Sequence, residues 1–245
     1  MKFIRKLQVF FRKMEHLLFP ALESKTKMML SVSIEILKRS LLRDPKYSDL
    51  NRLEPYGFKV YSQNDEDGII QEIFKRIGTT SKTFVEFGAG DGLENNTAYL
   101  LMQGWRGFWI EGSSASVKNI KNIYERAICC SQLFIENVFI TKDNIDSLIS
   151  KYFTGEIDLL SIDIDRNDYY IWKNIRSINP RVVIVEYNGK FPPPCSYIMK
   201  YDENHQWDGS DKQGMSLQSA TNLGESLGYQ LVGTNLSGVN AFFVR

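Results

Sequence analysis

The sequence predicts an α/β fold: a mostly parallel sheet of seven strands, the last antiparallel, preceded by an N-terminal helical extension. Three observations predict it. From Gly57 onward, short apolar runs rich in β-formers alternate with segments long enough for crossover helices. A glycine-rich turn follows the first of these runs. The chain closes on two further β-rich runs joined by a short Asn/Ser/Gly turn, which reads as an antiparallel hairpin.

Residues 1–56 read as the helical extension. Phe3, Ile4, Leu7, Phe10, Phe11, Met14, Leu17 and Leu18 recur at helical spacing, and Pro20 ends the pattern. A second periodic run covers Met28 to Leu42, and Pro45 and Pro55 bracket a polar linker. One reading packs these helices on the main domain or on a second copy of the chain. The other lays a basic amphipathic helix, carrying Lys2, Arg5, Lys6, Arg12 and Lys13, on an anionic membrane surface. In residues 57–245 the expected strands are TFVEFG (83–88), GFWIEG (107–112), SQLFIEN (131–137), IDLLSID (157–163), RVVIVEYN (181–188), YQLVGT (229–234) and VNAFFVR (239–245).

Composition limits the function. The chain has 245 residues, 43% hydrophobic and 24% charged, which suits one large globular domain with an extension. A net charge of +1 gives no support to nucleic-acid binding. Cys129, Cys130 and Cys195 are odd in number and lack metal-site spacing, which fits a reducing cytoplasm. No apolar run reaches the length of a membrane span.

The candidate site begins at VEFGAGDG. Gly88, Gly90 and Gly92 let backbone approach a ligand, with Glu86 before them and Asp91 between them. The spacing is G-x-G-x-G, where a dinucleotide fingerprint has G-x-G-x-x-G, and position 93 is Leu. Glu111 ends the second strand, where an acid is placed to accept from two ribose hydroxyls.

These residues and the closing hairpin resemble a Rossmann-like class I S-adenosylmethionine-dependent methyltransferase. More narrowly, YSQNDEDGII, FVEFGAGDGLENNT, GWRGFWIEG and SIDIDRNDYYIW…VVIVEYN resemble the FkbM-type sugar O-methyltransferases of bacterial surface-polysaccharide and capsule biosynthesis, from about Tyr61 to Arg245. The resemblance implies roles. Gly88, Gly90 and Gly92 line the methionine part of S-adenosylmethionine and Glu111 binds its ribose. Glu136 and Asn137 hold the adenine, and Gln63 sits near the methionine end. Ser62 with Asp65 resembles a variant capping pattern for a helix starting near Glu66.

The carboxylates after the fourth strand admit three readings. Ligands bind beyond the carboxyl ends of the strands, so Asp163, Glu186 and Asn188 are expected to converge there. They suit a hard cation, Mg²⁺ or Mn²⁺, that would activate a substrate hydroxyl. The metal-dependent O-methyltransferase pattern has adjacent residues after the fifth strand, whereas here Tyr187 intervenes. Alternatively Asp163, Glu186 or His205 acts as general base without a metal. In the third reading Asp165 and Asp168 cap the following helix. The long segment from Gly189 to Met215 offers Tyr197, Tyr201, His205, Trp207 and Asp208, with Asp165 and Asn188, for holding a sugar or nucleotide-sugar substrate. The competing functions are a non-catalytic cofactor-binding scaffold of a polysaccharide assembly and a nicotinamide-dependent oxidoreductase. The glycine spacing weighs against the last. The location expected is cytoplasmic, with peripheral contact at the inner membrane face through the N-terminal helices.

Overall fold

The computed structural model describes residues 26, 28–204 and 213–245. The expected helix over residues 3–18 therefore lies outside the described residues. The chain divides into two compact units, residues 1–49 and 50–245. In the first unit a helix, α1, spans 28–41, and Met28, Met29, Leu30, Ile36 and Leu37 are exposed on it. No helix among the described residues is long and apolar enough to cross a membrane.

The boundary falls after Asp49, not after residue 56. Leu53 is buried in the sheet unit's core, and Arg76 donates to the carbonyls of Leu50, Asn51 and Arg52. Residues 50–56 are thus packed structure, not a linker.

The second unit is a seven-stranded sheet in the order β3-β2-β1-β4-β5-β7-β6. Its strands are β1 (Thr83–Phe87), β2 (Arg106–Glu111), β3 (Leu133–Asn137), β4 (Gly155–Ile162), β5 (Ile178–Glu186), β6 (Gln230–Thr234) and β7 (Asn240–Val244). The β1, β2, β3, β4 and β5 pairings are parallel, and β7 runs antiparallel to both β5 and β6, as expected. β5 begins before Pro180, which sits opposite Ile157 and gives its carbonyl to the Tyr229 hydroxyl.

Strand alternation sends side chains to two cores. Val85, Phe87, Leu160, Ile162, Val183 and Val185 pack with α6 (Ile145–Ser150), α7 (Asp168–Asn174) and α8 (Leu217–Ser226). Phe84, Trp109, Leu159, Val182 and Ile184 pack on the other face with α2 (Glu66–Ile77), α3 (Ala98–Met102) and α4 (Ser114–Ile123). A short α5 (Glu125–Cys129) leads into β3. The parallel strands all end on one edge, which the turns after β1, β2, β4 and β5 build.

α2 starts as expected, but its N-terminus is tied differently. Asp65 makes no side-chain cap bond. Ser62 Oγ instead accepts from Asp67 N at 3.2 Å, while Asp67 Oδ2 accepts from the amides of Val60, Tyr61 and Ser62. The reciprocal pair is Ser62 with Asp67, one of the acids that also suit the positive end of the helix dipole.

The opposite edge of the sheet is held by a buried acid. Asp158 Oδ2 accepts from the amides of Ser81 at 2.9 Å and Lys82 at 2.7 Å, and Oδ1 pairs with Arg181 Nη1 at 2.9 Å. Burial alone would raise its pKa, but these donors outweigh it and hold the carboxyl below its ordinary value. Asp158→Asn should destabilise the fold by about 2–4 kcal/mol at neutral pH, by breaking a buried hydrogen-bonded ion pair. Because the folded pKa is depressed, the wild-type advantage should begin to shrink as pH falls below about 4 and be lost as pH falls through the lower folded value. Chemical denaturation at neutral pH and across an acid series checks this, and a loss below about 1 kcal/mol at neutral pH would discount the interaction.

Candidate active site

The turn after β1 is shaped by close contacts. Gly88 has φ +72, and a Cβ there would lie 1.7 Å from the Asp163 carbonyl oxygen. No other residue allows the ends of β1 and β4 to approach so closely. Gly90, at φ +53, has nothing within 4 Å of a built Cβ and faces open space. Gly92 turns away and packs on Ile120 and Tyr124 of the α4 region, with Tyr124 donating to its carbonyl.

Glu86 and Glu111 hold this turn from two sides. Glu86 is buried beneath it and accepts from Asn96 N, Thr97 N and the Thr97 hydroxyl. Burial raises its pKa to about 7, against the pull of those donors. Glu111 accepts from Gly90 N at 2.8 Å and from Ser113 N at 2.7 Å, and so bridges the turns after β1 and β2.

Between these turns and the end of β4 lies a cleft of about 540 Å³, lined by Gly88, Gly90, Glu111, Phe139, Asp163 and Arg166 among others. Val138, Phe139 and Ile140 form an apolar wall, and Phe139 is half exposed. The lining carries three acids, Glu111, Asp163 and Asp165, against one base, Arg166. A cleft with that balance favours a cationic ligand.

At its deep end, oxygens of Asp163, Asp165 and Glu186 lie within 4.8 Å of one another. Asp163 and Glu186 continue the alternation of Leu159 and Ile184 on neighbouring strands, which brings them together. Burial first, then the Asp165 charge, raise the Asp163 pKa to about 6. Burial and then Asp163 raise Glu186 far above the carboxylate range, so Glu186 keeps its proton and donates it to Asp163. Asp165 takes the left-handed φ of +66 at the turn and is exposed. Asp168 is not the α7 cap. Asn167 holds that position, and Asp168 is fully buried, accepts from Ile164 N at 2.9 Å and has Oδ2 unpartnered. Burial and then Asp163 raise its pKa to about 8.

The expected site residues divide accordingly. Gly88, Gly90, Glu111, Asp163 and Asp165 line the cleft, and Glu186 joins them through Asp163. Six others expected to hold cofactor do not line it. Glu86 faces the core side of the turn and Gly92 packs on α4. The Asp91 carboxylate accepts from Leu93 N. Gln63 is exposed, with its carbonyl taken by Lys59. Glu136 is held by Tyr152 and Lys151 on the α6 side of β3. Asn137 bonds Glu111 O, Gly112 O and Ser114 and so braces the turn after β2.

The Asn188 carboxamide donates to Gln213 O and accepts from Lys190 N, and the acid that joins Asp163 and Glu186 is Asp165. The Tyr201 ring packs edge-on against Tyr170, and its hydroxyl accepts from Lys142 N. His205, Trp207 and Asp208 lie outside the described residues. Residues unforeseen in the cleft include Val138, Phe139, Ile140, Ser113, Arg166 and Asn167.

No family model matches the chain. No curated relative matches it either. Among solved structures, the N-terminal domain of EvdMO1 with SAH bound is similar at 16% identity and a TM-score of 0.48, over 84% of this chain and 94% of that one. An O-methyltransferase from Bacillus cereus in complex with SAH aligns at 13% identity and 0.47, over 86% and 97%. The glycopeptide N-methyltransferase MtfA, complexed with S-adenosylhomocysteine, aligns at 12% and 0.43, over 71% and 85%. Neither the substrate nor the chemistry of those proteins transfers at such values.

Asp168→Asn should reveal the buried proton. A carboxyl with a raised folded pKa contributes its stability below the ordinary value and loses it as pH rises towards about 8. In the presence of chelator, the variant's melting temperature relative to wild type should therefore increase between about pH 5 and about pH 9. A gap that does not change with pH would mean that Asp168 is already ionised in the folded state.

Proposed function

We propose that the chain is an S-adenosylmethionine-dependent O-methyltransferase acting on a sugar hydroxyl, nucleotide-linked or not, in bacterial capsule or other surface-polysaccharide assembly. The charge of the cleft carries the reading. S-adenosylmethionine is net positive, with a sulfonium at its reactive centre. A nicotinamide dinucleotide would bring an anionic pyrophosphate to Glu111, Asp163 and Asp165. The residues fit the cofactor: Gly90 leaves room, the Glu111 carboxylate is placed for ribose hydroxyls, and Val138, Phe139 and Ile140 offer an apolar wall to adenine.

When bound, the cofactor supplies an electrophilic methyl group on sulfur. The protein's part is alignment and proton removal. Asp163 accepts the proton of the substrate hydroxyl, and Glu186 orients Asp163 by donating to it. With its pKa at about 6, Asp163 is the free base at neutral pH, so activity should fall as pH drops through that value. A second reading is favoured by the spacing of Asp163, Asp165 and Glu186: three oxygen donors suit Mg²⁺ or Mn²⁺, which would hold the hydroxyl instead.

Two measurements separate these claims. Calorimetry should show Glu111→Ala weakening S-adenosylmethionine by about 1–3 kcal/mol, since the ribose loses a charged acceptor and Gly90 its tether; unchanged affinity would remove Glu111 from the site. With labelled cofactor and a panel of sugars, Asp163→Asn should lower turnover by about 10²–10⁴-fold at saturating cofactor, the usual contribution of a positioned base. Full activity in Asp163→Asn would overturn both mechanisms. Loss of wild-type activity on chelation, restored by Mg²⁺ or Mn²⁺, would select the metal reading.

A further inference from the structure

The first unit carries a charge that the chain as a whole conceals. Residues 1–49 hold eleven Lys and Arg against five Asp and Glu, a net charge of +6 with His neutral. Residues 50–245 hold nineteen against twenty-four, a net charge of −5. The two nearly cancel in the overall +1. Such an asymmetry within one chain points to an anionic partner for the basic part.

α1 adds an apolar surface to that charge. At 100° per residue, one arc of about 200° runs from Val32 through Ile36, Leu37 and Leu30 to Ile34. Ser33 and Ser40 alone interrupt it, and its seven large apolar side chains are each 48% exposed or more. The margins of the arc are basic: Arg39 stands beside Val32, and Lys38 beside Ile34. Glu35 lies on the opposite face, where it accepts from Arg39 Nε at 2.9 Å in contact with water. Arg43 and Lys46 follow the helix.

A helix of this length is marginal in water unless its apolar side is covered. One neighbouring helix covers a stripe of about 100°, half of this arc. A second copy would also bring two units of charge +6 together. A nucleic acid would meet the charge and leave the apolar arc in water. At 1.5 Å per residue α1 is about 21 Å long, too short to cross an apolar layer of about 30 Å. A bilayer surface takes half a helix at once, and long cationic stems at the margins reach its phosphates.

We propose that α1 lies in the plane of an anionic bilayer surface, with the arc from Val32 to Ile34 among the upper acyl chains and Lys38 and Arg39 at the lipid phosphates. Attraction to the anionic headgroups resides in residues 1–49, because the rest of the chain has the opposite net charge. The proposal does not depend on what the cleft beside Gly88 binds.

The test is co-sedimentation of the full chain with vesicles of phosphatidylcholine alone and of phosphatidylcholine with about 30 mol% phosphatidylglycerol. The chain should bind the anionic vesicles at least tenfold more tightly, and that binding should weaken several-fold from about 0.1 M to about 0.5 M salt. Leu30→Ala/Leu37→Ala keeps the charge and the helix propensity and removes two side chains from the arc. It should bind the anionic vesicles roughly tenfold less tightly than wild type. An unchanged melting temperature and circular dichroism spectrum show that the variant is folded. No binding to anionic vesicles, equal binding to both kinds, or variant binding equal to wild type overturns the proposal. Elution of the wild type as a dimer that ignores vesicles overturns it too, and gives the arc to a second copy.

Discussion

The site depends on the absence of one carbon atom. The ends of β1 and β4 converge so closely that a Cβ on Gly88 would overlap the carbonyl oxygen of Asp163. Parallel pairing of Val85 with Leu160 and Phe87 with Ile162 sets that approach. It seats the glycine turn against the acid cluster, so that one cleft reaches both. A side chain at position 88 would separate the turn from Asp163 and dissolve that arrangement. Glu86 and Glu111 then fix the turn, one from the core and one from the cleft.

Burying several carboxyls at the ends of β1, β4 and β5 has a cost that the protein meets in two ways. Some acids saturate themselves with backbone donors, as Glu86 does with Asn96 and Thr97. Others keep a proton, as Glu186 does in its bond to Asp163. The result is a graded set: a protonated donor, an ionised acceptor beside it, and an exposed Asp165 at the mouth. Such a gradient of proton affinity over a few ångströms is what acid–base chemistry uses.

Much of the sheet was legible because strand runs such as TFVEF and LFIEN are dense in β-formers and end in turn residues. The start of β5 was not, because Pro180 reads as a break, yet it sits in the strand opposite Ile157. In the site, Gly88, Gly90, Glu111, Asp163 and Glu186 were legible from their position at strand ends. Glu86, Asp91, Glu136 and Asp168 look equivalent to them in sequence, since an acid near a turn can face the ligand, the core or a neighbouring amide. Only packing distinguishes these, as when Thr97 and Asn96 fold back over Glu86. Val138, Phe139 and Ile140 carried no signal beyond strand-like hydrophobicity, and their role in the wall comes from the turn after β3 rising beside Gly112.

The central claim is that the acidic cleft beside the glycine turn takes a cationic sulfonium cofactor and excludes an anionic dinucleotide. Equilibrium titration of the wild-type chain with S-adenosylmethionine and, separately, with NAD⁺ tests it most directly. The account predicts saturable binding of S-adenosylmethionine and none of NAD⁺ at the same concentrations. Binding of NAD⁺ in place of S-adenosylmethionine would contradict it.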